Sequence, residues 1–277
     1  MYKKYVPPKS KQYFAFNIWS IESAKAVLDA AVVSKQDVIL QTSMKAFLEL
    51  DKEELRFFVT NYVKNKGIAA YLHLDHCKRM DYIEEAIDYE WDSVMIDASD
   101  KSLNENIHIT NEVSLIAKEK NVLVEAEVGQ INGVEEEISV KETGIAQIED
   151  VEKFIRETEV DMLAVAIGTA HGVYKGIPNL HYELIEEVKK IADIPLVIHG
   201  GTGLTDEMFL KLLSYDNVKK INISTDVKLA YRQGIQNAYQ EGILEKNGFD
   251  PLKVTNYINQ EMMDMAATKM ELLKRNE

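Results

Sequence analysis

The chain has 277 residues, 46% of them hydrophobic and 28% charged, with a formal net charge of −14. That length buries a large core and suits an α/β barrel, while the acidity excludes nucleic acid and anionic membrane surfaces as partners, because both need clustered Lys and Arg. The one cysteine, Cys77, excludes an internal disulfide and any zinc cluster built from several thiolates, and it fits a reducing, cytoplasmic setting.

In chain order, residues 1–8 carry no apolar core of the kind a signal peptide needs. The first apolar run, 13–18, contains Asn17 and leads into a helical period over 21–33. The second, 37–43, ends on Ser43 and precedes a helical period over 52–64. The third, 68–75, carries His73 and Asp75, with His76 at its exit; a short helical period over 83–89 follows. The fourth, 93–99, contains Asp97 and Ser99 before a helix at 106–118. Glu125 and Glu127 lie in the fifth, 122–129. Beyond it, 130–145 has no periodicity and reads as an irregular active-site loop. A helix at 148–157 leads to the sixth run, 162–168, which is followed by Thr169-Ala170-His171-Gly172. Next come a helix at 182–191 and a seventh run, 196–201, ending His199-Gly200-Gly201. After a helix at 207–213, the eighth run, 219–225, contains Asn222, Ser224 and Thr225. Helical periods at 228–246 and 254–274 close the chain.

The interiors of these runs are near-continuous Val, Ile, Leu and Ala, as in parallel strands covered on both faces. Each run is strand-sized, so no transmembrane helix is expected. Eight strand–helix units predict a closed (β/α)8 TIM barrel, with right-handed crossovers and an extra C-terminal helix. No linker or low-complexity tract divides it, so residues 1–277 read as a single domain. The acids, amides and histidines gather at C-terminal strand ends, the face where barrel enzymes work.

Neighbouring strands of such a barrel would bring His76, His171 and His199 together. Three neutral imidazoles leave a divalent ion an open position, the arrangement of a catalytic zinc site. Asp75, beside the first of them, is placed to move a proton; orienting a histidine is the blander role for it. His73 reads as packing or as a residue behind the ligands, not as a ligand itself. His108 and His181 fall in helical stretches and read as surface residues, and Cys77 as a bystander thiol. Gly168–Gly172, Gly200–Gly203 and Asn222–Asp226 combine glycine-freed amides with hydroxyls and read as anion nests. The loops after strands seven and eight are a common phosphate site in this fold. With the global field unfavourable to anions, capture falls to such a local site.

The segments Leu72-His73-Leu74-Asp75-His76, Ser93–Ser99, Val124-Glu125-Ala126-Glu127-Val128-Gly129, Ala164–Gly172 and Leu196–Gly201 resemble the class II, metal-dependent ketose-bisphosphate aldolases. The resemblance runs from about Phe14 to Thr225. It implies a lyase that reversibly splits a fructose- or tagatose-bisphosphate-like ketose into dihydroxyacetone phosphate and an aldehyde. It implies that His76, His171 and His199 hold one catalytic Zn2+, with a monovalent cation near the phosphate. Asp75 would then shuttle the proton at the hydroxyl where the carbon–carbon bond breaks. Glu135, in Gly133-Val134-Glu135, would exchange the proton at the enediolate carbon. Asp97 and Glu127 match positions of a resting or second metal. Asn17 and Ser43 resemble contacts to the distal phosphate, while Gly172, Gly200, Gly201, Thr202, Asn222, Ser224 and Thr225 resemble the remaining substrate contacts. A homo-oligomer, dimer or tetramer, is implied as well.

The chain departs from the family pattern at several places, among them the stretch before Tyr13, whose helical part is shorter. Asp100 follows Ser99 where many relatives have histidine. Ser224 replaces the aspartate of many fructose-type enzymes and the alanine of tagatose types, which leaves the sugar open. Residues 270–277 lack a Gly-Ser-rich tail. Other classes fit less well. A Schiff-base aldolase needs a buried strand lysine, and the sixth run has none, with Lys175 beyond it. Barrel metal hydrolases place a His-x-His pair on the first strand, which here carries no histidine. A non-catalytic sugar-phosphate sensor would not need Asp75 and Glu135, and an aldolase for another phosphorylated keto sugar or sugar acid stays open.

Overall fold

A computed structural model describes residues 11–135, 138–140, 145–174, 176–245 and 249–275, with backbone alone described at 132–135 and 138–140. The chain runs β1 (Tyr13–Asn17), α1 (Ile21–Ser34), β2 (Val38–Ser43), α2 (Met44–Glu49), α3 (Lys52–Val63), β3 (Ala70–Cys77), α4 (Met80–Asp88), β4 (Ser93–Ile96), α5 (Leu103–Glu119) and β5 (Leu123–Val128). It continues through β6 (Asn132–Glu135), β7 (Ile138–Val140), α6 (Ile148–Glu157), β8 (Met162–Val165), β9 (Ala170–His171), α7 (Tyr182–Ile191), β10 (Leu196–Ile198), α8 (Asp206–Leu213), β11 (Val218–Ile223), α9 (Thr225–Gln240) and α10 (Pro251–Lys274). Eight parallel strands close the expected barrel in the order β1-β2-β3-β4-β5-β8-β10-β11. No described helix is long and apolar enough to cross a membrane.

Local chemistry sets the helix starts. Ser20 and Glu105-paired Ser102 cap α1 and α5 with reciprocal hydrogen bonds, and the side chains of Asp51 and Thr205 accept from the first turns of α3 and α8. Between barrel and helices lies one continuous apolar core, including Phe14, Phe16, Leu28, Trp91, Phe154 and Phe209. The extra C-terminal helix, α10, packs against α9, α1 and α8. At the α9 crossing, a Cβ on Gly234 would lie inside van der Waals contact of the Ile258 backbone. Gly234→Ala should therefore push α10 outward and lower stability by about 1–3 kcal/mol. The chemical denaturation midpoint reads this, and an unchanged midpoint would show that the crossing is loose.

Several expectations need correction. The stretch read as irregular, 130–145, contains β6 and β7, an antiparallel pair to which β9 adds in parallel to make a separate three-stranded sheet. His171 therefore stands on β9 in that small sheet and not on the barrel strand β8, which ends at Val165. The third strand begins later and runs on through His76 to Cys77, with its register broken between Leu74 and Cys77. His76 has φ of 48°, so the backbone makes an irregular step there. A short α2 follows β2 directly, and α9 starts at Thr225, so Thr225 belongs to a helix and not to a strand end. His181 is not inside a helix but the N-cap of α7, where it bonds Glu183; His108, as expected, is an exposed residue of α5. Lys175 lies outside the described residues.

Candidate active site

The C-terminal ends of β3 and β10, together with β9, bring three imidazoles to one point. One donor atom each from His76, His171 and His199 lies within 4.8 Å of the others. The ring centroids stand 4.6–5.9 Å apart, mutually edge-on. Carboxylates behind two rings assign their tautomers. His199 Nε2–H donates to Glu125 Oε1 at 2.8 Å, and His76 Nδ1–H donates to Asp97 Oδ2 at 3.2 Å. Both remaining lone pairs then point inward, with His199 Nδ1 and His76 Nε2 only 2.8 Å apart. Two buried nitrogens so close cannot both present bare lone pairs; a proton shared between them or a cation beside them relieves the repulsion, and the donor set fits a divalent ion bound by neutral imidazoles.

Electrostatics point the same way. Burial alone would depress the His76 pKa, but Asp75, Asp97 and Glu127 together push it up to about 10. This point of the barrel attracts positive charge. His199 is lowered, by burial first and by its neighbour His76 second. Burial opposes ionisation of Asp97 as well, yet the bonds from His76 and Ser99 hold its carboxyl well below the usual range. Glu127 goes the other way, up to about 8, because it is buried and faces Asp97. One Glu127 oxygen accepts from Ile131 N–H, and the Ser99 hydroxyl, bonding to the carboxyl, works against the upward shift.

Asp75 is buried next to the histidines, and amides hold both of its oxygens. Gln41 Nε2 donates to Oδ2 at 3.0 Å and Asn222 Nδ2 to Oδ1 at 3.3 Å. Gln41 also donates to Asn17 Oδ1 at 2.6 Å, which links the first three strands across their mouths. A small cavity opens here, lined by Asp75, His171, Gly172, His199, Gly200, Gly201, Thr202, Asn222, Ser224, Thr225 and Gln41. Asn17 and Ser43 lie outside that lining: Asn17 is buried behind Gln41, and Ser43 caps α2. Gly200 has φ of 70°, and a Cβ there would run into the carbonyl of Ala170, so only glycine lets the β10 loop approach the His171 strand this closely. Tyr174 ties the same two segments together: its hydroxyl accepts from Ala170 N–H and donates to the Gly200 carbonyl. Ser224 Oγ is buried with no partner among the described residues. Glu135 ends β6, which pairs alongside His171, and its side chain lies outside the described residues. Asp100, one of the departures, is exposed and bonds Lys78.

Four participants escaped the sequence reading. Gln41 is a polar side chain directly after the apolar run Val38-Ile39-Leu40, a signal available in the sequence. Tyr174 follows His171 with no periodic cue. Glu125, grouped with residues at the mouth, is wholly buried inside the barrel. It pairs there with Lys220, whose Nζ lies 2.7 Å from Glu125 Oε2. Lys220 is thus a buried strand lysine that the case against imine chemistry did not count, although it does not line the cavity.

Comparison with known proteins agrees with this geometry. The family profile "Fructose-bisphosphate aldolase class-II" matches residues 8–277. A sulfofructosephosphate aldolase from Alkalicoccus urumqiensis is 33% identical over 82% of this chain and 79% of its own. A fructose-bisphosphate aldolase from Geobacillus stearothermophilus is 34% identical over 86% of this chain and 83% of its own. A 6-phospho-5-dehydro-2-deoxy-D-gluconate aldolase from Bacillus subtilis is 34% identical over 87% and 85%. Among solved structures, the YdjI aldolase from Escherichia coli K12 superposes with a TM-score of 0.79 at 25% identity, covering 96% of this chain and 92% of that one. Three imidazoles at the mouth of a parallel barrel, in a family whose members are generally metal-dependent, carry one conclusion: this chain belongs to the class II fructose-bisphosphate aldolase family and is a carbon–carbon lyase.

Proposed function

We propose that the protein reversibly cleaves a phosphorylated ketose to dihydroxyacetone phosphate and an aldehyde, using Zn2+ held by His76, His171 and His199. The observation that carries this reading is the convergence of three imidazole donors beside Asp75 in one cavity. A divalent ion there supplies Lewis-acid polarisation of the ketose carbonyl. Asp75, oriented by Gln41 and Asn222, takes the proton from the hydroxyl on the far side of the breaking bond. Glu135 exchanges the proton at the carbon that remains. Gly172, Gly200, Gly201 and Thr202 hold the near phosphate with Ser224 and Thr225, where α9 begins. Asn17 and Ser43 serve the distal end, and a monovalent cation accompanies the near phosphate. The chain works as one barrel domain within a cytoplasmic homo-oligomer.

The relatives' names share a phosphorylated sugar and differ in which sugar. A phosphorylated keto sugar acid is therefore the second reading, favoured by the relatives named for a phosphodehydrodeoxygluconate. Incubating the protein with a panel of ketose phosphates and keto sugar acid phosphates, coupled to dihydroxyacetone phosphate detection, tests both. Release of that triose from at least one member is expected; none from any would overturn the assignment.

Ser224 is expected to read the sugar. Its buried hydroxyl can donate or accept one hydrogen bond, whereas an ionised aspartate only accepts. A lost partner for a substrate hydroxyl costs roughly 1–3 kcal/mol, or about five- to a hundredfold in preference. Ser224→Asp should shift the ratio of kcat/KM for fructose- over tagatose-type bisphosphates by that much. An unchanged ratio would place stereochemical recognition elsewhere.

A further inference from the structure

The interior of a (β/α)8 barrel is ordinarily filled by branched apolar side chains. Below the three histidines this barrel departs from that rule. His73 on β3, Ser93 on β4, Glu125 on β5 and Lys220 on β11 are all buried there. His73 Nδ1 meets Ser93 Oγ at 2.7 Å, and its Nε2 lies 3.6 Å from Glu125 Oε2. That same carboxylate oxygen is 2.7 Å from Lys220 Nζ, while Oε1 holds the outer N–H of His199. Lys220 pairs in register with Val197, two residues before His199, which sets its ammonium one layer beneath the imidazole.

Stability does not account for such a pair. Replacing a buried ion pair by apolar side chains of similar volume is often neutral or stabilising, because both charges must leave water. We propose instead that Lys220 is a positioning residue for the metal centre, acting through Glu125, an inference that rests on the metal reading above. Alone in the dry interior, the Glu125 carboxylate would carry an uncompensated charge. The ammonium on one oxygen supplies the countercharge and fixes the plane of the carboxylate. The other oxygen then faces His199 Nε2–H, and the ring can only present Nδ1 to the point it shares with His76 and His171. Lys220 does not line the cavity, so it acts on the ligand and not on the substrate.

The test compares wild type, Lys220→Met and the double variant Glu125→Gln/Lys220→Met. Zinc affinity is read by competition with a chromophoric chelator, ligand geometry by the absorption spectrum of the cobalt-loaded protein, and folding by the denaturation midpoint of the metal-free protein. The double variant leaves no lone buried charge, so it carries the comparison should Lys220→Met fail to fold. Affinity is expected to fall about 10- to 100-fold in the variants, as when other outer partners of a metal ligand are removed. The cobalt spectrum should change, while the metal-free double variant unfolds at or above the wild-type midpoint. A folded double variant with wild-type zinc affinity and an unchanged cobalt spectrum would overturn the positioning role. Failure of the wild type itself to take up zinc or cobalt would instead overturn the metal reading beneath it.

Discussion

Asp75→Ala is expected to lower kcat for triose release by on the order of a hundredfold or more, the usual cost of removing a general acid or base, with metal content unchanged. The carboxylate lies beside the imidazole cluster without being one of its three donors. Its oxygens are taken by Gln41 and Asn222, so its removal takes a hydrogen bond from each of two buried amides and costs some stability as well. Asp75→Asn, which keeps shape and removes the basic oxygen, separates the two effects. It should retain the fold and still lack the activity. His171→Ala must behave differently, because it deletes one of three donors: metal and activity should be lost together. Elemental analysis beside steady-state kinetics distinguishes the variants, and equal metal content in Asp75→Ala and His171→Ala would contradict the roles proposed here.

Much of this site follows from the residues. Branched apolar runs alternating with helical periods predict the eight barrel strands, because a parallel strand buried on both faces needs apolar side chains throughout. Polar residues at the ends of those runs then fall on one mouth of the barrel. What escaped was set by less periodic physics. Residues 132–140 combine Gly133 with a run of glutamates and show no alternation, so β6 and β7 left no pattern, and β9 is only two residues long. The turn of His76 into the cluster depends on a positive φ and a register break, neither of which has a sequence signature for histidine. Lys220 was hidden by Lys219: strand alternation says that one of two adjacent lysines faces inward, and the composition of the run does not say which. Glu125 looked like a mouth residue because it is close in sequence to Glu127, yet two residues along a strand is a full layer of the barrel.

Metal removal has the other large expected effect. The carboxylates that hold His76 up to about 10 make it take a proton at neutral pH when no metal is bound, so metal and proton compete for the same nitrogen. Apparent metal affinity should therefore rise as pH is raised towards 10. The most direct measurement of the whole account is triose release from a ketose bisphosphate by protein stripped with a chelator and then reloaded, with a parallel sample treated with substrate and borohydride. Cleavage should vanish on stripping and return with zinc or cobalt, and no covalent adduct should form on Lys220 or any other lysine. Activity that survives complete stripping, or an imine trapped on a lysine, would contradict it.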